Sequence, residues 1–296
     1  MFCICATARV SPCNPAIFAY HLSRFLQLAF LGFSVHSFSA TSATPRVRLF
    51  DLDLVAVDFP QAVALLVADA AGAERAKVVA TPNVDHLTRL DAMPAFRARY
   101  AAADYLFADG MPIVWASRWF GRPLPERVTG SDLTVALCRE ASARGWRVAM
   151  LGGSPGQEDL LRSRFASAYP GLQVDIRCPS MQFDPLGAEG EAAAQWVRER
   201  APRLVFVCLG MPKQESWALH HAPTLPGGVV MCVGAAMEFA LGMQRRAPLA
   251  FQRAGFEWLW RLASNPRRLW RRYLVDDRKF LGLLWREWRG QRPTAK

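Results

Sequence analysis

The chain has 296 residues, 52% of them apolar and 21% charged, with a formal net charge of +11. That length and composition suit one sizeable buried core and exclude an intrinsically disordered chain. Seven cysteines without a CxxC pair or a metal-like spacing to histidine argue against a disulfide scaffold or zinc module, and Cys138, Cys208 and Cys232, inside apolar runs, read as reduced core thiols of a cytosolic protein.

Residues 1–44 read as an N-terminal extension. Ala16 to Val35 is apolar enough to suggest a weak membrane anchor, yet His21, Ser23, Arg24 and Gln27 interrupt it. Sequence preceding the true start codon is the alternative. Ser39 to Pro45 reads as a linker.

From residue 45 to 244 short apolar runs alternate with amphipathic stretches. Predicted strands are Leu52 to Val57, Lys77 to Ala80, Asp104 to Ala108, Arg147 to Leu151, Leu172 to Ile176, Leu204 to Leu209 and Val229 to Val233. Predicted helices between them include Pro60 to Ala71, Asp132 to Arg144, Gln157 to Tyr169 and Glu189 to Arg200. Such alternation predicts a Rossmann-like α/β domain, a mostly parallel sheet with helices on both faces.

Ligands of such sheets bind beyond the carboxyl ends of the strands. The segments there are Thr81-Pro82-Asn83, Asp109-Gly110, Gly152-Gly153-Ser154-Pro155-Gly156, Gly210-Met211-Pro212-Lys213-Gln214-Glu215 and Gly234-Ala235. Four of the five carry glycine, which lets backbone N–H groups approach a ligand, and several open into a helix whose positive end favours phosphate. A nucleoside diphosphate is the expected guest. Asp109 fits a catalytic carboxylate and an Asp-Gly turn equally well on pattern alone.

Three motif matches are set aside. Gly152 to Gly156 fits GxSxG, but the residue that should donate its N–H to an oxyanion is Pro155, which has none. Asp51-Leu52-Asp53 resembles a metal-holding DxD and reads as a solvated strand end. His220-His221 diverge on a helix and read as a surface pair.

The segment 245–296 is a basic, Trp-rich appendage. It holds fourteen Lys and Arg against four acids, a net of +10 out of the chain's +11, and five of the ten Trp. Asn265-Pro266 is a plausible helix start. At 100° per residue Arg268, Arg271, Arg272, Arg278, Lys279, Arg286 and Arg289 project to one side, and Trp270, Tyr273, Leu274, Phe280, Leu281, Leu284, Trp285 and Trp288 to the other. This pattern fits a helix in the headgroup layer of an anionic membrane surface and equally a helix packed on its own domain. Nucleic acid ranks last, because the apolar residues form one continuous face rather than isolated stacking platforms.

The runs Thr81-Pro82-Asn83, Ala108-Asp109-Gly110, Glu126 to Leu133, Leu151-Gly152-Gly153, Leu209 to Glu215, Arg246-Ala247-Pro248 and Glu257 to Leu262, in that order, resemble the WecG/TagA/CpsF glycosyltransferases. The likeness extends from about Val47 to Tyr273. It implies a bacterial enzyme at the cytoplasmic face of the inner membrane, in cell-surface or exopolysaccharide biosynthesis. A hexose-type sugar (N-acetylmannosamine, its uronic acid, glucose or glucuronic acid) would pass from a UDP-sugar to an undecaprenyl-diphosphate-linked saccharide with inversion.

The resemblance tips Asp109 toward the catalytic base and supports Thr81 and Asn83 as sugar or acceptor contacts. It matches Arg261, Arg268 and Arg271 to the family's phosphate-contacting arginines, so that the appendage would close over the site as well as touch membrane. Gly110, Pro212 and Lys213 fall in the substrate-binding loops. Gly152, Gly153, Gly210 and Gly234 would shape the nucleotide site through backbone contacts, and Gln214 and Glu215 would bind hydroxyls, unless Glu215 merely favours the helix dipole. Arg127 and Asp132 read as a structural pair. No metal or cofactor is expected, no nucleic acid partner is expected, and a homo-oligomer stays open. The chain departs from the family pattern at Pro179-Ser180-Met181-Gln182 and at Ala235. The alternative is a non-catalytic nucleotide- or nucleic-acid-binding protein using the basic tail.

Overall fold

The computed structural model describes residues 44–242 and 278–290, together with residues 248, 251, 259, 260 and 263. The predicted anchor at Ala16 to Val35 and the helix start at Asn265-Pro266 lie outside the described residues. Among the described residues no helix is long and apolar enough to cross a membrane.

The chain opens with an antiparallel hairpin, β1 (Arg46–Leu49) and β2 (Leu52–Val55), in which Leu49 pairs with Leu52. The turn residues Phe50 and Asp51 both adopt positive φ, 53° and 60°, the two-residue geometry whose twist matches that of the flanking strands. The sequence predicts only one strand here, because neither turn residue is glycine. Asp51 pairs with Arg97 at 3.0 Å and Asp53 with Arg48 at 3.0 Å, so the DxD match consists of ion-paired hairpin residues.

Then follow α1 (Phe59–Gly72), β3 (Ala76–Ala80), α2 (Val84–Asp91), α3 (Pro94–Tyr100), β4 (Tyr105–Leu106), α4 (Met111–Trp119) and α5 (Gly130–Arg144). After these come β5 (Arg147–Gly152), α6 (Glu158–Ala168), β6 (Gln173–Arg177), α7 (Ala188–Arg200) and β7 (Leu204–Cys208). The series continues with α8 (Lys213–His221), β8 (Gly228–Cys232), the short α9 (Ala236–Ala240) and α10 (Lys279–Gly290). Strands β3 to β8 form one parallel sheet in the order β4-β3-β8-β7-β5-β6.

Local chemistry explains several boundaries. Asp58 and Gln61 form a reciprocal capping box ahead of α1, with Pro60 in its first turn. Thr129 caps α5, which ends on Gly145 in the left-handed conformation, φ 65°. The central strands are apolar at successive positions because both faces are covered. Ala149, Leu151, Val205, Val207, Val230 and Cys232 pack beneath α2, α3, α4, α7 and α8, while Val148, Met150, Leu204, Phe206, Val229 and Met231 pack beneath α1, α5 and α6. Cys138, Cys178, Cys208 and Cys232 are free thiols, and burial pushes Cys138 and Cys208 up to about 12.

Helix α10 is docked on the α2–α4 side of the body. Phe280 and Leu283 are buried in that core, and the Phe280 ring lies 5.4 Å from that of Phe50. Glu287 accepts the Phe50 N–H at 3.0 Å and pairs with Arg122 at 3.1 Å, while Arg286 pairs with Asp91 at 2.6 Å. The single apolar face expected of this segment is therefore split. Phe280 turns to the core, whereas Leu281, Trp285 and Trp288 are exposed, and Arg286 is engaged by protein. Glu287→Ala leaves the Phe50 amide and Arg122 without this carboxylate, at a cost of about 1–3 kcal/mol confined to α10. Limited proteolysis should then cleave α10 many-fold faster while the melting of the α/β body scarcely changes.

Candidate active site

The loops after β3, β4, β7 and β8 converge at the carboxyl edge of the sheet. Thr81, directly after β3, is buried, and a Cβ added to Gly130 would lie 2.9 Å from its hydroxyl and 3.6 Å from Val233. The Asp109 N–H donates to the Pro82 carbonyl at 2.9 Å, which ties the β4 loop to the β3 loop. The Asp109 carboxylate faces the first turn of α5, with Oδ2 3.4 Å from the Gly130 N–H. The positive end of a fifteen-residue helix favours a negative charge there.

Asn83 has a local task that the sequence reading did not assign. Its side-chain oxygen caps α2 by accepting the His86 N–H at 3.0 Å. The carboxamide N–H groups are what it can still offer a ligand.

Gln214 and Glu215 hold the other side. Both are almost wholly buried, at 2% and 1% exposure. The Gln214 Oε1 accepts the Gly234 N–H at 2.9 Å and the Gly210 N–H at 3.3 Å, and its Nε2 donates to Glu215 Oε1 at 2.8 Å. One carboxamide thus fastens the β7 loop to the β8 loop. Among the described residues Glu215 Oε2 has no hydrogen-bond partner, and burial raises the carboxyl to about 7. Gln214 and Glu215 are inward-facing framework, so the expected hydroxyl contacts would need approach through the loops they brace.

Tyr100, His86 and Arg89 were not singled out from sequence, because only the packing of α2 and α3 against α8 brings them here. Tyr100 is fully buried, meets His86 Nδ1 at 3.1 Å, and is held well above the usual phenol range by burial and by the neighbouring Glu215, Cys232 and Asp109. Arg89 donates to the Met211 carbonyl at 2.9 Å, pairs with Asp85 at 3.8 Å, and carries a half-exposed guanidinium whose charge acts on Glu215. A cation spaced three residues after a histidine that follows the β3 loop was the available signal.

The glycines divide into two groups. Gly210, φ 75°, and Gly234, φ 54°, lie in the loops that Gln214 joins, and no atom stands within 4 Å of a Cβ added to Gly210. Gly152 and Gly153 are constrained by packing. A Cβ on Gly152 would fall 2.6 Å from Cys208 Cβ and 2.7 Å from its carbonyl oxygen, and one on Gly153 would fall 2.9 Å from Leu161. Gly110 precedes α4, while Pro212 and Lys213 open α8.

Arg261, Arg268 and Arg271 lie outside the described residues. Asp132 accepts from the Thr129 hydroxyl at 2.7 Å within the α5 cap, which gives it a structural task in the loop. Ser180, in the segment that departs from the family pattern, is held by Glu189, its N–H and hydroxyl 2.7 and 2.6 Å from the carboxylate. The expected surface pair His220-His221 is corrected. His220 is exposed, but His221 is buried against Trp217, with its Nε2 3.2 Å from the Pro185 carbonyl, because adjacent helical residues point in different directions. Among the described residues no group of His, Cys, Asp and Glu is arranged to hold a metal ion.

A parallel, doubly covered sheet whose strand-end loops gather a carboxylate, a buried amide–carboxyl pair and an arginine has the form of an α/β enzyme with its ligand site at the carboxyl edge. Residues 47–294 match the Glycosyl transferase WecG/TagA/CpsF family. The chain belongs to that family and is a glycosyltransferase. It is similar to the N-acetylglucosaminyldiphosphoundecaprenol N-acetyl-beta-D-mannosaminyltransferase of Bacillus spizizenii, at 29% identity over 203 residues, which cover 69% of this chain and 75% of the relative.

Two outcomes follow. Gly152→Ala should lower stability by about 2 kcal/mol or more through the contact with Cys208, read as a drop in Tm with or without nucleotide. For Glu215, a carboxyl raised in the fold from its ordinary 4.5 to about 7 favours the folded state fully below pH 4.5. That stability is lost as pH rises through 7, by about 3 kcal/mol. Denaturation from pH 5 to 8 should therefore show a decline in the wild type that Glu215→Gln flattens.

Proposed function

We propose that the protein transfers a hexose-type sugar from a UDP-sugar to a polyprenyl-diphosphate-linked saccharide, with inversion at the anomeric carbon. The observation that carries this reading is the Asp109 carboxylate at the mouth of α5, in the same loop cluster as Thr81 and Gly130. The named relative from Bacillus spizizenii, an N-acetyl-beta-D-mannosaminyltransferase of a diphosphoundecaprenol substrate, supports the lipid-linked acceptor. N-acetylmannosamine is accordingly the first donor sugar to test.

Asp109 takes the proton of the acceptor hydroxyl as its oxygen forms a bond to the anomeric carbon. The bond from that carbon to the β-phosphate oxygen breaks on the opposite face, and UDP leaves with the electron pair. Backbone N–H groups of the glycine loops and a guanidinium suit the charge that develops on the diphosphate. Arg89 is a described candidate for that guanidinium, and Arg261, Arg268 and Arg271 of the appendage are the others. A lipid-linked acceptor places the reaction at a membrane surface, for which the basic appendage is suited, at the cytoplasmic face of the inner membrane.

Asp109→Asn keeps the shape of the side chain and removes the base. Transfer from a UDP-sugar panel to a lipid-diphosphate saccharide should fall about 10²–10⁴-fold, while UDP binding by calorimetry stays near the parent value. Undiminished transfer by this variant would remove the proposed base. A wild-type protein that transfers no sugar yet binds nucleic acid with steep salt dependence would favour a binding role instead.

A further inference from the structure

Helix α4 starts two residues after Asp109 and carries two tryptophans one helical turn apart. Ile113, Val114, Ala116 and Ser117 are buried, which leaves the outer face to Trp115, Arg118 and Trp119. Trp115 is 44% exposed and Trp119 75%, the latter stacked on the buried Phe120 with ring centroids 6.0 Å apart. From Gly110 to Pro125 the chain contains Arg118 and Arg122 and no acid. Two exposed indoles held on a rigid helix beside the exposed Arg118, with Arg122 engaged by Glu287, suit the boundary between lipid headgroups and acyl chains, where the indole ring is apolar and its N–H is wet.

The neighbouring α10 repeats this chemistry. Leu281, Trp285 and Trp288 are exposed, and Arg289 lies 3.9 Å over the Trp285 ring. Arg122, three residues beyond Trp119, pairs with Glu287, the residue before Trp288, so one ion pair joins the two aromatic elements.

We propose that the Trp115–Trp119 face of α4 is a membrane-docking surface that inserts among anionic lipid headgroups and thereby presents the Asp109 site to the diphosphate of a lipid-linked acceptor. The inference rests on the acceptor class argued above. Its geometry is short: at 1.5 Å per residue, Trp115 lies about 6 Å along the helix from its first residue. The headgroup layer on each side of a bilayer is itself about 5–8 Å thick. A docked α4 therefore holds the site edge near the depth at which a lipid diphosphate lies, and the acceptor need not leave the membrane to be used.

The test uses the full chain and the double variant W115S/W119S, with circular dichroism melting to confirm that both fold alike. Sedimentation with vesicles of phosphatidylglycerol and phosphatidylethanolamine should show about a tenfold or greater loss of affinity. Transfer to a long-chain acceptor embedded in those vesicles should fall in step, while transfer to a short-chain, water-soluble acceptor stays within about twofold of wild type. Unchanged vesicle affinity overturns the proposal. So does an equal loss with both acceptors, which would mark the tryptophans as part of the site's framework. Loss of self-association in light scattering with vesicle binding intact would instead assign the face to a second copy of this chain. If wild type transfers nothing to the soluble acceptor from any UDP-sugar while W115S/W119S still loses vesicle affinity, the acceptor reading falls and the membrane face stands.

Discussion

The Gln214 carboxamide is the joint on which the sheet-end cluster depends. Its oxygen takes the N–H groups of Gly210 and Gly234, and its nitrogen is oriented by Glu215. Two loops that end neighbouring strands are thereby held at one separation, and the backbone between them stays open because glycine occupies both positive-φ positions. A buried amide can do this only when each of its polar atoms is satisfied, and here the carboxyl of Glu215 completes the set on one oxygen. The cost falls on the other oxygen, which is buried without a partner among the described residues. Burial biases a carboxyl in that position toward its protonated form.

Charge is handled differently on the outer edge of the fold. The hairpin turn at Phe50-Asp51, the ends of α2 and α3 and helix α10 meet around a cavity of about 440 Å³. Arg97 with Asp51, Arg122 with Glu287 and Arg286 with Asp91 neutralise each other there. No residue of the strand-end cluster lines this cavity, which lies where α10 meets the hairpin. Because Phe280 and Leu283 fill the core and Glu287 caps the hairpin amide, the remaining aromatic side chains of α10 are left outward.

On the proposed reading, the chemistry and the placement of the enzyme meet on one side of the sheet. Asp109, the proposed base, follows the strand that runs into α4, and the same helix carries the exposed tryptophans. On that reading, the catalytic loops and the lipid-facing surface are separated by a single short element.

The alternation of apolar runs with helical stretches was legible as a parallel sheet covered on both faces, since a strand buried on both sides needs apolar side chains at every position. The position of Asp109, Thr81 and the glycine loops at the strand ends was legible, because a glycine or an acid there stands out against the apolar run before it. The hairpin was not, because its turn uses Phe50 and Asp51 rather than glycine. Nor was the packing role of Gly152 and Gly153, which depends on how near Cys208 and Leu161 come from other elements. The periodicity of the basic tail announced an amphipathic helix but assigned Phe280 and Trp285 to one face. Sequence alone determined which residues were apolar, charged or free of a side chain. Only the tertiary structure decided which of them a neighbour would bury, because burial is set by contacts between segments far apart in the chain and a helical period carries no record of them.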